Sequence, residues 1–259
     1  MAVTLQQGWD PSRYAAFRGL RLRPALDLLA QVPDLPGGDV VDLGCGDGAA
    51  AGSLRLRFPD RRLLGLDGSA EMLARAAGYD AKVQADIAGW QADSPPALIF
   101  SNAVLQWLPD HAALMPRLAG LLPPDGVLAV QMPRNHLAPS HALLRDTAAR
   151  LFPDLFSTAG YVPPVQDPAF YRGLLAPLGR VTLWETEYLQ ELAPAAAGHP
   201  VRAFTESTAM LPFLDRLTRD EGAVLTAAYD AALAAAYPLL PEGGALFPFR
   251  RLFFICQRF

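Results

Sequence analysis

The stretch VVDLGCGDGAA, Val40 to Ala50, constrains this chain most strongly, because three glycines directly follow an apolar run. Gly44, Gly46 and Gly48 lack Cβ atoms, so they can adopt positive φ and let the backbone approach a ligand closely. An ordinary turn between a strand and a helix is the alternative, but it does not require the conformational entropy that three glycines lose on folding. The stretch therefore predicts a ligand-binding turn after the first strand.

Short apolar runs alternate with helical periodicity through the first half of the chain. This alternation is typical of βαβ units that build a parallel sheet covered on both faces. Later in the chain, two more apolar runs predict strands that pair with each other. The predicted strands are 39–43, 61–66, 81–85, 97–101, 126–132, 180–190 and 250–259, and the predicted helices are 22–32, 49–57, 69–77, 111–120, one starting near Pro139, and 168–177.

The segment 191–245 separates the last two predicted strands and is alanine-rich and helical in pattern. A helical insert between two strands of one sheet predicts a cap over the edge of that sheet. We therefore divide the chain into a first segment, 1–30, a core of 31–190 with 246–259, and a helical cap of 191–245.

Composition narrows the class of partner. With 22 Lys and Arg against 26 Asp and Glu, the net charge is -4, which disfavours a groove for nucleic-acid phosphates and favours a small-molecule partner. Cys45 and Cys256 lack the spacing of a disulfide framework or a zinc site, so we expect a reducing cytoplasm. We expect an unexported, soluble protein with no membrane partner, because the N-terminus lacks a leader pattern and no long uncharged apolar window occurs.

The glycine stretch alone leaves two cofactors open. Gly44-x-Gly46-x-x-Ala49 fits a dinucleotide-binding loop, with Asp67 as the acid ending the second strand. Asp42 argues against that reading, because an anion there repels a pyrophosphate and suits a ligand with a cationic amino group. The G-x-G-x-G spacing that ends at Gly48 likewise suits a ligand end without a diphosphate.

Four motifs, in order and at sensible strand spacing, resemble those of class I S-adenosylmethionine (SAM)-dependent methyltransferases. They are DVVDLGCGDG, LLGLDGSAEML, QADIAGW and IFSNAVLQWLPD. The resemblance implies a Rossmann-like, seven-stranded, mostly parallel α/β sheet with helices on both faces and a helical cap. It also implies SAM as cofactor and S-adenosylhomocysteine (SAH) as product. The cofactor-binding residues that it implies are Asp42, Gly44, Gly46, Gly48, Asp67, Gly68, Ser69, Met72, Asp86, Ile87, Asn102 and Ala103.

Each motif implies a role. Asp42 complements the amino group of SAM, Asp67 holds the ribose hydroxyls, and Met72 lines the adenine. Asp86 meets the adenine amino group, with Ile87 against its face. Asn102 and Ala103 lie near the methionine part.

The similarity extends over nearly the whole chain to the trans-aconitate 2-methyltransferases, through WDPSRYAAFRGLRLRPALDLL, LQWLPDHAALMPRL, GVLAVQMPRNHLAPSHALLRD, VTLWETEYLQEL and FRRLFFICQRF. That family esterifies one carboxylate of a small polycarboxylic acid, and its N-terminal segment folds over the cofactor as a lid. A carboxylate is already an ionised nucleophile at pH 7, so catalysis rests on alignment and no residue is assigned as a base. The substrate-binding candidates are Trp9, Tyr14, Arg21, Arg23, Gln106, Trp107, Asn135 and His136.

The chain departs from the family pattern in the cap, where Leu211 stands before Pro212 at a position that carries an arginine in the trans-aconitate enzymes. Arg202, Arg216 and Arg219 lie nearby. The departure leaves another small-molecule acid or metabolite open as the substrate.

Two other function classes remain as alternatives, a nicotinamide-dependent dehydrogenase and a SAM-binding protein without catalysis. A base methyltransferase is disfavoured because SNAVLQW stands where a proline- and aromatic-containing motif would follow the fourth strand. His136 and His141 share no helix face and have no evident third ligand, so we predict no metal. The sequence does not fix the oligomeric state, for which a monomer is favoured.

Overall fold

The computed structural model describes residues 18–259, with side chains from Leu22 onward. The chain divides into two compact units. The core unit comprises 18–133, 164–186 and 251–259, and the second unit comprises 134–163 and 187–250. The helices are α1 (Arg18–Ala30), α2 (Ala51–Arg57), α3 (Ala70–Arg75), α4 (His111–Gly120), α5 (Pro139–Leu151), α6 (Pro168–Leu175), α7 (Pro200–Glu206), α8 (Leu211–Leu214) and α9 (Arg219–Ala236).

One seven-stranded sheet has the order β3-β2-β1-β4-β5-β7-β6. Its first five strands in that order are parallel, and β7 is antiparallel to β5. Its strands are β1 (Val40–Leu43), β2 (Leu63–Asp67), β3 (Ala81–Gln84), β4 (Leu98–Asn102), β5 (Val127–Pro133), β6 (Gly179–Leu192) and β7 (Ala245–Arg258). The predicted mostly parallel α/β sheet is confirmed, and the predicted strands differ from these bounds mainly at their ends.

The central strands read as unbroken apolar runs because they are buried on both faces. All four residues of β1 are buried, as are residues 98–101 of β4 and 127–132 of β5. On one face, Ile99 and Val130 belong to a core cluster with Leu118 of α4 and Tyr171 of α6. This burial fixes the register of the central strands, and with it the positions of the loops at their carboxyl ends.

The second unit is mainly helical, with α7, α8 and α9 inside the segment predicted as helical. It is larger than that segment, since it also includes 134–163. Here α5 packs against α9, because Ser140 N donates to Tyr237 Oη over 3.0 Å and Tyr229 Oη donates to the Ser140 carbonyl over 2.6 Å. Such contacts join residues about 90 positions apart, which sequence periodicity does not report. The role of 191–245 as a cap stays a prediction.

Candidate functional site

The glycine turn has a backbone that only glycine adopts without strain. Gly44, Gly46 and Gly48 have φ angles of 77°, 55° and 85°. A Cβ on Gly44 would collide with the side chain of Val104, and one on Gly48 would lie 3.0 Å from the Ala77 carbonyl oxygen. Space as well as φ therefore excludes side chains at Gly44 and Gly48.

Asp67, at the end of β2, organises this turn. One carboxylate oxygen accepts from Gly46 N at 2.9 Å and the other from Ser69 N at 2.8 Å. Ser69 caps α3 by accepting from Met72 N at 3.3 Å. Because each carboxylate oxygen has more than one lone-pair site, Asp67 can hold these amides and still accept from ligand hydroxyls.

The remaining candidates at this end of the sheet form an open rim. Gly68 is exposed, and the Met72 methyl would lie 3.2 Å from a Cβ on Gly46. Asp86 is exposed and accepts from Ala88 N at 3.0 Å, whereas Ile87 is buried. This arrangement leaves the Asp86 carboxylate accessible beside an apolar side chain, as recognition of a purine requires.

Asp42 has an environment that the sequence did not reveal. Its side chain is buried, and Tyr79 Oη donates to it over 2.6 Å. The Tyr79 ring lies against Gly65 of β2, where a Cβ would come within 2.8 Å of it. Burial raises the pKa of Asp42 from 3.8 to about 7, although the Tyr79 hydrogen bond opposes the shift and the Asp67 charge adds to it. A cationic group bound near Asp42 would lower this pKa again and restore the ionised carboxylate.

The end of β4 and the loop after it contain buried amide oxygens without hydrogen-bond partners among the described residues. They belong to Asn102 and Gln106. Gln106 Nε2 donates to the carbonyl of Ala103, itself at a φ of 58°, over 2.7 Å. Trp107 is 46% exposed. An unsatisfied buried oxygen is destabilising by about 1–3 kcal/mol, so this loop is suited to bind a ligand that donates hydrogen bonds.

His111, the first residue of α4, forms hydrogen bonds that hold the loop after β4 in place. Its Nε2 lies 2.8 Å from the Leu105 carbonyl, and its Nδ1 lies 2.8 Å from Tyr171 Oη. A carbonyl only accepts, so Nε2 carries the proton and Nδ1 accepts from Tyr171. Burial lowers the pKa of His111, which keeps this tautomer neutral. His111 is thus a positioning residue for the segment that holds Gln106 and Trp107.

Asn135 and His136 belong to the second unit. Asn135 has a structural role there, because its amide oxygen accepts from Arg250 N at 2.7 Å and its amide nitrogen donates to the Pro248 carbonyl at 3.3 Å. His136 Nδ1 is buried without a partner among the described residues. The His136 ring meets His141 edge-on at 5.5 Å between centroids.

The pKa values of two neighbouring histidines of the second unit, His136 and His141, are low. Burial, with a smaller contribution from Arg145, lowers the pKa of His136 to about 4. Burial, His136 and Arg145 together lower the pKa of His141 to about 3. A neutral His136 can donate a hydrogen bond to a carboxylate without transferring a proton to it.

The N-terminal candidates are only partly covered. Trp9 and Tyr14 lie outside the described residues, and so does the side chain of Arg21. Arg23 lies on α1 and is exposed. The predicted lid therefore stays a prediction.

The arginines near Leu211 in sequence differ in how their charges are already engaged within the second unit. Arg202 is 8% exposed and binds Asp230 at 2.9 Å and Glu206 at 3.0 Å, so its charge is neutralised within the second unit. Arg216 lies over the Phe156 ring at 4.8 Å. Arg202 is therefore a poor replacement for an arginine at position 211.

Sequence reasoning missed four side chains at or below the carboxyl ends of the core strands. They are Tyr79, His111, Gln131 and Arg251. One signal was available for Arg251: adjacent Arg250 and Arg251 lie in a strand, so their side chains point to opposite faces and one of them has to be buried. Arg251 is 3% exposed.

Among residues 18–259, no group of three or more His, Cys, Asp or Glu side chains could hold a metal ion. In the same range, no helix has the length and apolarity needed to cross a membrane.

Comparison with known proteins gives a consistent family. Residues 14–183 match the model of a methyltransferase domain. A trans-aconitate 2-methyltransferase of Azoarcus sp. strain BH72 is 45% identical over 258 residues, which cover 96% of this chain and 99% of the relative.

Solved structures share the fold at low sequence identity. The YcgJ protein of Bacillus subtilis has a TM-score of 0.54 at 14% identity, covering 92% of this chain and 99% of its own. A Haemonchus contortus phosphoethanolamine N-methyltransferase, solved with phosphomonomethylethanolamine and SAH, has a TM-score of 0.52 at 14% identity, covering 92% of this chain and 53% of its own. Both support the predicted Rossmann-like fold.

Proposed function

This chain belongs to the trans-aconitate 2-methyltransferase family of SAM-dependent methyltransferases, and we propose that it esterifies one carboxylate of trans-aconitate. The observation that carries the proposal is 45% identity to a trans-aconitate 2-methyltransferase across 96% of the chain. It is combined with a turn whose φ angles and close packing require glycine. The alternative acceptor is another small carboxylic acid, because of Leu211. A dehydrogenase is disfavoured, since the family of the chain is one of methyltransferases.

The described residues fit SAM. The turn at Gly44, Gly46 and Gly48 admits close approach of the amino-acid part, and buried Asp42 suits its ammonium group. Asp67 would accept hydrogen bonds from the ribose hydroxyls. At the other end of the ligand, Asp86 with Ile87 and Met72 would bind adenine. The unpartnered oxygen of Asn102 would accept a hydrogen bond from the methionine part.

When bound, SAM would supply a methyl group on a positively charged sulfur. An acceptor carboxylate oxygen would form a bond to the methyl carbon as the bond to sulfur breaks, giving a methyl ester and neutral SAH. The protein needs no general base, because the carboxylate enters ionised and no proton moves. The loop of Gln106 and Trp107 would orient the acceptor, with His111 holding the loop in place. Alignment of this kind contributes about 7–11 kcal/mol in well-oriented reactions.

The proposal also includes one residue of the second unit and four residues of the N-terminal segment. His136 would donate to an acceptor carboxylate, and Trp9 and Tyr14, with Arg21 and Arg23, would form the lid that excludes water. We further propose a cytoplasmic location, because Cys45 and Cys256 are both unbridged, and a monomeric state. Light scattering of the purified protein and cell fractionation test these two statements.

The substrate test uses labelled SAM with a panel of di- and tricarboxylates. We expect labelled methyl ester from trans-aconitate at the highest kcat/KM. Methyl transfer only to a different acid would show that trans-aconitate is not the acceptor, while supporting methylation of a carboxylate as the reaction. SAM binding without transfer to any acid would favour a non-catalytic SAM-binding protein.

The cofactor test uses Asp67→Ala, with Asp86→Asn as its comparison. Loss of the Asp67 carboxylate removes charge-assisted hydrogen bonds and the Gly46 contact, so SAM affinity should fall at least about 100-fold. Asp86→Asn, at an exposed site, should lower it by less than about tenfold. Calorimetry measures both, and unchanged affinity in Asp67→Ala would contradict the assignment of the cofactor.

A further inference from the structure

Tyr79 approaches Asp42 from the loop between α3 and β3, and both residues belong to the core unit. Its Oη donates to Asp42 Oδ2 over 2.6 Å, a length typical of a hydroxyl that donates to a carboxylate. Asp42 is 3% exposed, so its carboxylate has lost almost all of its contact with water. The Tyr79 hydroxyl therefore replaces part of the hydration that burial removes from this carboxylate.

A glycine inside β2 makes room for the Tyr79 ring. Gly65 is in register with Asp42 of β1, and residues in register on parallel strands point to the same face about 4.8 Å apart. A Cβ on Gly65 would come within 2.8 Å of the Tyr79 ring, and one on Gly48 of the glycine turn would lie 3.3 Å from it. Glycine weakens a strand interior and often marks a place where another group approaches closely. Strand β2 and the turn thus both leave the space that brings the hydroxyl to Asp42.

Three titratable groups among the described residues interact with Asp42. Burial raises the pKa of Asp42, the Tyr79 hydrogen bond lowers it, and the Asp67 charge raises it. Burial, together with the charges of Asp42 and Asp67, raises the pKa of Cys45 to about 12, so this thiol stays neutral. Burial and the Asp42 charge raise the pKa of Tyr79, so its hydroxyl stays protonated. Of these three groups, Tyr79 is the one that favours the ionised form of Asp42.

We propose that Tyr79 is a positioning residue for SAM, whose hydroxyl keeps the Asp42 carboxylate oriented and ionised to receive the ammonium group of the cofactor. This inference rests on the proposed function. The hydrogen bond to Oδ2 fixes the carboxylate plane and leaves the lone pairs of Oδ1 for a second donor. Tyr79 then acts on the amino-acid part of SAM, and it acts through Asp42.

The test is Tyr79→Phe, which keeps the ring beside Gly65 and removes only the hydroxyl. SAM affinity should fall about tenfold at pH 6.5, because Asp42 loses a hydrogen bond that favours its charged form. The loss should be smaller at pH 8, where a larger share of Asp42 ionises even without Tyr79. Calorimetry measures both affinities, and the titration of the amino group of SAM itself cancels in the ratio between the two proteins.

A ligand without the amino-acid part separates positioning from a general disturbance of the glycine turn. The compound 5′-methylthioadenosine retains the adenine, ribose and sulfur of SAM and lacks the ammonium group, so its affinity should change less than about twofold in Tyr79→Phe. An equal loss of affinity for this compound, an equal loss of SAM affinity at both pH values, or no loss at all would overturn the proposal.

The matched protein control is Tyr229→Phe in the second unit. It also removes a hydrogen bond of 2.6 Å, the one that Tyr229 Oη donates to the Ser140 carbonyl. SAM affinity should change less than about twofold at either pH. A loss as large as that of Tyr79→Phe would overturn a specific role for the hydroxyl beside Asp42.

The double variant Asp42→Asn/Tyr79→Phe decides the case if Tyr79→Phe does not fold, because it removes the buried charge together with its donor. Compared with Asp42→Asn alone, it should lower SAM affinity by less than about twofold, since Tyr79 has no carboxylate to act through. A larger further loss would show that Tyr79 acts independently of Asp42 and would overturn the proposal. A wild-type protein that binds neither SAM nor 5′-methylthioadenosine would instead show that the proposed function has failed.

Discussion

The two halves of the carboxyl edge in the core unit differ in how their polar groups are satisfied. Over β1 and β2, Asp67 accepts from the backbone amides of Gly46 and Ser69, so the turn is complete without a ligand. Over β4 and β5, amide atoms of Asn102, Gln106 and Gln131 are buried without partners among the described residues. The first half is preorganised by its own backbone, whereas the second half is stabilised when another molecule supplies the missing partners.

The largest effect should come from breaking the first half with Gly44→Ala. The new methyl group would meet Val104 at a φ of 77°, so the turn has to change. We expect a loss of about 2–4 kcal/mol in the free energy of unfolding and at least a 100-fold loss of SAM affinity. Urea unfolding and calorimetry measure the two quantities.

Gly52→Ala is the matched control for this change, since nothing lies within 4 Å of a Cβ at this helical glycine. It should raise stability by up to about 1 kcal/mol and leave SAM affinity unchanged. Equal effects of the two substitutions would contradict a requirement for glycine at position 44.

An effect of similar size on stability, but one that depends on pH, should follow from the ionisation of Asp42. Its raised pKa means that the stability contribution of the protonated form is present below about pH 4 and lost as pH rises through about 7. Asp42→Asn should therefore be more stable than the wild type at pH 8 by about 2–4 kcal/mol in the absence of SAM, and Tm against pH measures this.

SAM should reverse the order of these two proteins. Wild-type affinity should rise from pH 6 to 8 as Asp42 ionises against the amino group, and Asp42→Asn should bind weakly at every pH. A SAM affinity of the wild type that is flat from pH 6 to 8 would contradict the role of Asp42.

The smallest effect on stability should come from Gln106→Met in the second half. The change removes the hydrogen bond to Ala103 and also the unpartnered oxygen, so the unfolding free energy should change by less than about 1 kcal/mol. Methyl transfer should slow about tenfold, because the oxygen no longer receives a donor from the ligand. A large loss of stability with normal turnover would show that Gln106 has only a structural role.

The same comparison explains what the sequence could predict. Gly44 to Gly48, Asp67, Asp86 and Asn102 lie at or just after strand ends, so a local pattern locates them. Buried apolar runs likewise located the strands of the sheet, because their length and spacing report burial directly.

The second half, and the environment of Asp42 in the first half, depend on pairs that are distant in sequence. Arg251 meets Gln131 across 120 positions, His111 meets Tyr171 across 60, and Tyr79 meets Asp42 across 37. Such pairs form only once strand order and register are set, so no local pattern contains them. The burial of Arg202 against Asp230 in the second unit was hidden for the same reason.

The place of β7 in the sheet bears on how the chain is made. This strand, Ala245–Arg258, lies between β5 and β6 although it comes last in sequence. During synthesis, β6 therefore emerges from the ribosome before the neighbour that joins it to β5 exists. The sheet is complete only after Ala245–Arg258 has been translated, and until then the edge of β5 has no neighbouring strand on that side.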